Sequence, residues 1–188
     1  NKDLSLDEIK EAVITVTNNI INYSFDSVDK VGLYGANFIS NGDTIIMHSY
    51  SSTLMAIFIE GANQGKDFTV ICTESRPLRE SRNAVNILQK LGIKTKFISD
   101  ASVYEFMPQA NYIIMGADSL SADGSVANKM GTALIAKLAA SCKVPVFIAS
   151  ELYKLDMRTQ VGHVVELEKR TPYELISDDD FTDMSNLE

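Results

Sequence analysis

The sequence predicts an α/β fold: a doubly wound, mostly parallel sheet preceded by N-terminal helices. Three observations predict it. Short runs rich in β-branched and aromatic residues recur between Thr44 and Ala149 without strict polar alternation, as strands buried on both faces require. Amphipathic stretches of helical period separate these runs, and such alternation implies parallel crossovers. The chain has 188 residues, 45% hydrophobic and 22% charged, which suits one globular domain and excludes a disordered or collagen-like chain.

The elements follow in order. Ser5-Leu6-Asp7-Glu8 reads as a capping box, and Ile9, Ala12, Val13, Val16 and Ile20 continue at helical spacing. A second helix is expected over Val28–Ile39, stopped by Asn41-Gly42-Asp43. Strands are expected at Thr44–Met47, Phe68–Ile71, Thr95–Ile98, Tyr112–Met115 and Val146–Ala149. Helices near Thr53–Ala62, Arg79–Leu91 and Lys129–Ala140 lie between them. In the second of these, Ala84, Val85, Leu88 and Leu91 form the apolar stripe, while Arg82, Asn86, Gln89 and Lys90 face out. The third is apolar nearly all round and is expected to be deeply packed. Val161–Val165 reads as one more short β-rich segment. The chain thus divides into an N-terminal helical segment (1–42), a ligand-binding domain (43–176) and an acidic tail (177–188).

Charge narrows the partners. The net charge is −8, and residues 151–188 carry ten acids against four bases, so the body is nearly neutral and the tail acidic. An acidic surface repels a phosphate backbone, so no direct nucleic-acid partner is expected. No apolar run approaches the roughly 20 residues that span a bilayer, so no membrane partner is expected either. Cys72 and Cys142 lie far apart with no CxxC spacing and read as small hydrophobes of a reduced, cytoplasmic protein. Neither His48 nor His163 has a Cys near it, and no metal or cofactor is implied.

In a doubly wound sheet, ligands bind outside the carboxyl ends of the strands, so chemistry is sought there. One apparent phosphate loop, Gly61-Ala62-Asn63-Gln64-Gly65-Lys66, runs from helix to strand, the reverse of the required context, and reads as a helix C-cap and turn. Three other segments do lie at strand ends. His48-Ser49-Tyr50-Ser51-Ser52 brings hydroxyls to a helix start, where they either cap the helix or bind an anion beside free N–H groups. Thr73-Glu74-Ser75-Arg76-Pro77 leads into a helix with Pro77 in its first turn. Arg76 and Arg82 there are either solvated or bidentate phosphate ligands. Gly116-Ala117-Asp118 ends a strand, and Asn128 and Lys129 are expected to open the next helix. One Asp alone reads as a turn residue. Together with Asn128 and Lys129 it reads as a phosphate-plus-hydroxyl site.

The runs GADSLSADGSVANKMGT, TESRP and HSYSS together resemble one superfamily, over about residues 28–170. It holds the alpha, beta and delta regulatory subunits of translation initiation factor 2B, and the methylthioribose-1-phosphate and ribose-1,5-bisphosphate isomerases. The resemblance implies a Rossmann-like domain that binds a phosphorylated sugar or nucleotide and forms a C2 homodimer through its C-terminal part. The ligand contacts expected at these strand ends are Ser49, Tyr50, Ser51, Ser52, Arg76, Arg82, Gly116, Asn128 and Lys129. The isomerases use an Asp in the GAD segment, matched by Asp118, and a Cys in a His-Cys-Asn-type segment. Here Ser49 stands at the Cys position and Tyr50 at the Asn. A serine hydroxyl is a far weaker acid than a thiol, whose pKa is near 8.5, and a phenol at about 10 is a poor substitute. The expected function is therefore binding of a sugar phosphate or nucleotide with little or no turnover. The alternative is aldose–ketose isomerisation of a phosphorylated pentose, with Asp118 catalytic.

Overall fold

A computed structural model of the chain describes residues 5–177 and residue 180. The expected acidic tail lies, but for Ser177 and Asp180, outside the described residues. Helix α1 (Leu6–Ala36) opens on the expected capping box: the Glu8 N–H donates to Ser5 Oγ (3.3 Å) and the Ser5 N–H to Glu8 Oε2 (2.8 Å). It is one helix of 31 residues, not the two expected. The weak helix formers Asn22, Ser24, Asp26 and Ser27 suggest a break, but Ser27 Oγ donates to the Tyr23 carbonyl (2.7 Å) and the helix runs on. Its last third packs on α2 (Ser52–Asn63), burying Gly32 and Ala36. The stripe of Ile9, Val13, Val16 and Ile20 is present but covers nothing; all four are exposed.

Strands β1 (Thr44–His48), β2 (Thr69–Thr73), β3 (Lys94–Ile98), β4 (Tyr112–Met115) and β7 (Val146–Ile148) form one parallel sheet in the order β3-β2-β1-β4-β7. Strand alternation sends Ile45, Met47, Val70 and Cys72 to one face, where they pack with α2 and α3 (Ser81–Lys90). Ile46, Ile71, Ile113 and Met115 face the other side, against Val103 of α4 (Val103–Phe106) and Ile135 and Ala139 of α5 (Thr132–Cys142). Two buried faces explain why the central strands β1, β2 and β4 read as apolar runs; the edge strands β3 and β7, expected to be buried alike, are largely exposed because each has a neighbour on one side only. A short antiparallel hairpin, β5 (Ser119–Leu120) with β6 (Val126–Ala127), interrupts the crossover after β4. The stretch Gly61–Lys66 is the helix end expected: α2 stops at Asn63, and Gly65 turns the chain at φ +72°.

Three expectations fail on α5 and beyond. The helix begins at Thr132 rather than Lys129, because Gly131 stands at φ +100° and ends the preceding loop outside helical space. Nor is it deeply packed: only Ile135 and Ala139 are buried, and Leu134 is 58% exposed, since the sheet covers one side alone. The segment Val161–Val165 pairs with no strand. A short 3₁₀ turn ends there, with Val161 and Val164 exposed. Among the described residues no helix is long and apolar enough to cross a membrane.

Candidate functional site

The strand order reverses between β1 and β4, which are neighbours in the sheet with His48 level with Met115. Crossovers leave this switch point on opposite faces, so a crevice opens beyond the two carboxyl ends. It is a cleft of about 250 Å³, lined by Tyr50, Ser51, Ser52, Ala117, Asp118, Asn128 and Lys154. Ser51 caps α2, its Oγ accepting from the Leu54 N–H (3.3 Å). Gly116 permits the close approach of β4 to this cap, since a Cβ there would stand 2.8 Å from Ser51 Cβ and Oγ. The Asp118 N–H donates to the Ala127 carbonyl (2.8 Å), which fixes its backbone and leaves the carboxylate in the cleft. Asn128 Nδ2 donates to Thr132 Oγ1 (3.0 Å).

Lys154 enters from a 3₁₀ turn after β7. Its Nζ donates to the Ala117 carbonyl (2.8 Å) and forms an ion pair, without hydrogen-bond geometry, with Glu151 Oε2 (3.1 Å). Glu151 is buried beneath it and accepts from Thr53 Oγ1 (2.6 Å). Burial alone would raise its carboxyl, but the Thr53 bond, its own backbone N–H and the Lys154 ammonium together hold it below the ordinary carboxylate range.

A second cluster adjoins the first. Ser49 is buried at φ +69° with its N–H donating to Ser75 Oγ (2.7 Å) and its Oγ to Glu80 Oε2 (3.0 Å). The same Glu80 oxygen takes Lys129 Nζ at 2.9 Å. Behind them, His48 Nε2 must donate to the Met130 carbonyl (2.7 Å), so in the neutral ring Nδ1 accepts from Thr73 Oγ1 (2.7 Å). Burial keeps this imidazole below its usual pKa, outweighing the Met130 carbonyl and the Asp100 carboxylate, which favour the charged form. His48 therefore ties the end of β1 to the loop that carries Asn128 and Lys129. Cys72 is no nucleophile: burial pushes its thiol up to about 12.

Of the expected site residues, the cleft gathers Tyr50, Ser51, Ser52, Asp118 and Asn128. Ser49 and Lys129 meet at Glu80 instead. Arg76 is half-buried outside the cleft lining, and its N–H donates to Asp100 Oδ2 (2.7 Å). Arg82 is exposed on α3. Pro77 is not in a first helical turn, since α3 starts only at Ser81. Lys129 and Asn128 likewise sit in a loop, not at a helix start. Lys154, Glu151 and Glu80 were missed; none stands in a recognisable motif, and only the fold brings them in. Among the described residues no group of three His, Cys, Asp or Glu could hold a metal.

A sequence model of the initiation factor 2 subunit family matches residues 1–186. The chain is 36% identical over 174 residues to a ribose 1,5-bisphosphate isomerase of Methanocaldococcus jannaschii, covering 93% of this chain and 56% of that protein. It is 35% identical over 164 residues to a putative translation initiation factor eIF-2B subunit 2-like protein of Pyrococcus furiosus, covering 87% of this chain and 59% of the relative. In structure it is similar to the eIF-2B delta subunit of A. fulgidus, with a TM-score of 0.76 at 27% identity over 94% of this chain and 54% of that one. The chain spans about half the length of these relatives. With the family model covering nearly the whole sequence, the chain belongs to the initiation factor 2 subunit family.

Proposed function

We propose that the cleft binds a phosphorylated pentose and that the chain carries the acid/base centre of an aldose–ketose isomerase of the ribose-1,5-bisphosphate type. The observation that carries this is the Asp118 carboxylate at the end of β4, in one cleft with hydroxyls, an amide and an ammonium. Six relatives named ribose 1,5-bisphosphate isomerase, 33–36% identical over 80–93% of this chain, support it over the binding-only reading preferred from sequence. In such a reaction the bond from C1 to the ring oxygen breaks and that oxygen takes a proton, the C2 hydrogen moves to C1, and the C2 hydroxyl gives up its proton to become the carbonyl. Asp118 takes and returns the proton that this exchange moves. No net oxidation occurs, so no redox cofactor enters this reading.

In this reading the Ser51 and Ser52 hydroxyls, the N-terminus of α2 and Lys154 hold one phosphate. Tyr50, Asn128 and the Gly116 backbone face the sugar. Lys129 and Arg76, with Arg82 further out, supply positive charge to a second anionic group. Residues 43–176 act as the ligand domain, 1–42 as a helical segment and 177–188 as an acidic tail. The free thiols of Cys72 and Cys142 fit a reducing cytoplasm. Binding without turnover is the second reading, and one observation favours it: Ser49 replaces the family's thiol and its hydroxyl is already given to Glu80. NMR of the chain with ribose 1,5-bisphosphate and with methylthioribose 1-phosphate tests the two. Conversion of the first substrate is expected; saturable binding with no conversion overturns the isomerase reading in favour of the second.

Loss of Lys129 should weaken sugar-phosphate binding about tenfold or more, since a charge-assisted contact is worth roughly 1.5–3 kcal/mol. Calorimetry on Lys129→Ala checks this, and unchanged affinity removes the residue from the site. The exposed Leu134, Phe147 and Ile148 on α5 and β7 support a two-fold homodimer through the C-terminal part. Light scattering should give twice the chain mass of 20.7 kDa at micromolar concentration; a mass at 20.7 kDa rejects the dimer.

A further inference from the structure

We infer that Glu80 is a built-in competitor for the Lys129 subsite: its carboxylate holds the ammonium while no ligand is bound, and a ligand phosphate must take it over. This rests on the reading above that Lys129 meets an anionic group of the ligand. Glu80 stands at the N-cap position of α3, where a carboxylate gains from the helix dipole. Its side chain makes no capping bond. It reaches instead to Ser49 Oγ (3.0 Å) and Lys129 Nζ (2.9 Å).

The backbone is bent to allow this. Ser49, Ser75 and Arg79 all stand in the left-handed region, at φ +69°, +60° and +56°. Non-glycine residues keep such angles only where the surroundings enforce them. Ser49 and Ser75 are joined by the bond from the Ser49 N–H to Ser75 Oγ, and Arg79 immediately precedes Glu80.

The two lysines near the cleft are held differently, and the contrast assigns the role. Lys154 rests on Glu151, whose side chain is 2% exposed, and on a backbone carbonyl; the carboxylate lies beneath it and Lys154 lines the cleft. Lys129 is drawn to Glu80, whose side chain is 36% exposed, and does not line the cleft although Asn128 beside it does. A buried carboxylate below a lysine presents it. A half-exposed one beside it withholds it and can itself swing to water when displaced.

The two roles differ in sign. A competitor lowers the affinity for anions, whereas a support raises it. Calorimetric titration of the chain with ribose 5-phosphate and with inorganic phosphate should give about two- to fivefold tighter binding in Glu80→Gln, the range expected when a partly exposed charge is removed. The gain should vanish in Glu80→Gln combined with Lys129→Ala, because the two effects share one contact. Glu80→Asp keeps the charge but draws it back from Lys129, and should tighten binding by less. It serves as the readout if the glutamine variant does not fold. Affinity equal to or weaker than that of the parent chain in these variants overturns the inference and leaves the phosphate site standing. Absence of binding in the parent and variants alike overturns the phosphate reading, and this inference with it.

Discussion

Asp118→Asn is expected to lower conversion of ribose 1,5-bisphosphate by about two to four orders of magnitude, the range a positioned acid/base group contributes. The amide keeps the shape of the carboxylate but cannot accept and return a proton. Among the described residues the Asp118 side chain makes no hydrogen bond or ion pair, and its backbone bond to Ala127 survives the exchange. The substitution therefore removes chemistry without removing a structural contact, and the melting temperature should stay within a degree or two. Kinetics by NMR decides: a loss below tenfold at unchanged stability takes Asp118 out of the acid/base role.

The largest effect on stability is expected at Gly131. Its φ of +100° is closed to side chains, and a Cβ there would meet His48 Nε2 at 2.9 Å and Cε1 at 3.1 Å. The ring cannot retreat, because Nε2 is bound to the Met130 carbonyl and Nδ1 to Thr73. Gly131→Ala must therefore strain the loop and break the bond that ties it to β1, at a cost of about 3 kcal/mol. For a chain of this size that is about 6–12 °C in Tm. Gly42→Ala is the control: φ is +89° but nothing lies within 4 Å of the new Cβ, so only the strain of about 1 kcal/mol remains. Equal losses at the two positions would show that the contact with His48 carries no weight.

The centre of the sheet was legible because β1, β2 and β4 are buried on both faces. Ile45–Met47 and Tyr112–Met115 carry unbroken apolar runs, and β4 falls on the expected residues. The Ala84–Leu88 stripe was legible for the complementary reason, one face buried and one wet. What failed had no periodic signal. The hairpin Ser119–Ala127 has two-residue strands, too short to alternate. Gly131 sets the start of α5 by a backbone angle that composition does not carry. The exposed stripe of α1 shows that periodicity reports a helix but not what covers it. At the site, HSYSS and GADS were found because the rule about strand ends points to them. Lys154 comes from an unremarkable turn, and Glu80 was hidden among the charges of a predicted surface, so their convergence exists only in three dimensions.

The place of the cleft in the sheet also sets when it can exist. Strand β1 pairs with β2 by joining Thr44 to Thr69, but with β4 by joining Ile45 to Tyr112, across more than twice as much chain. Closing the longer loop costs more entropy and comes later, whether the chain folds in solution or emerges from synthesis. The β3-β2-β1 half can assemble with its helices while the Asp118 wall is still absent. Loop closure thus favours the hydroxyl wall over the carboxylate wall by about 1 kcal/mol. Any early intermediate of that kind buries part of a core while having no site.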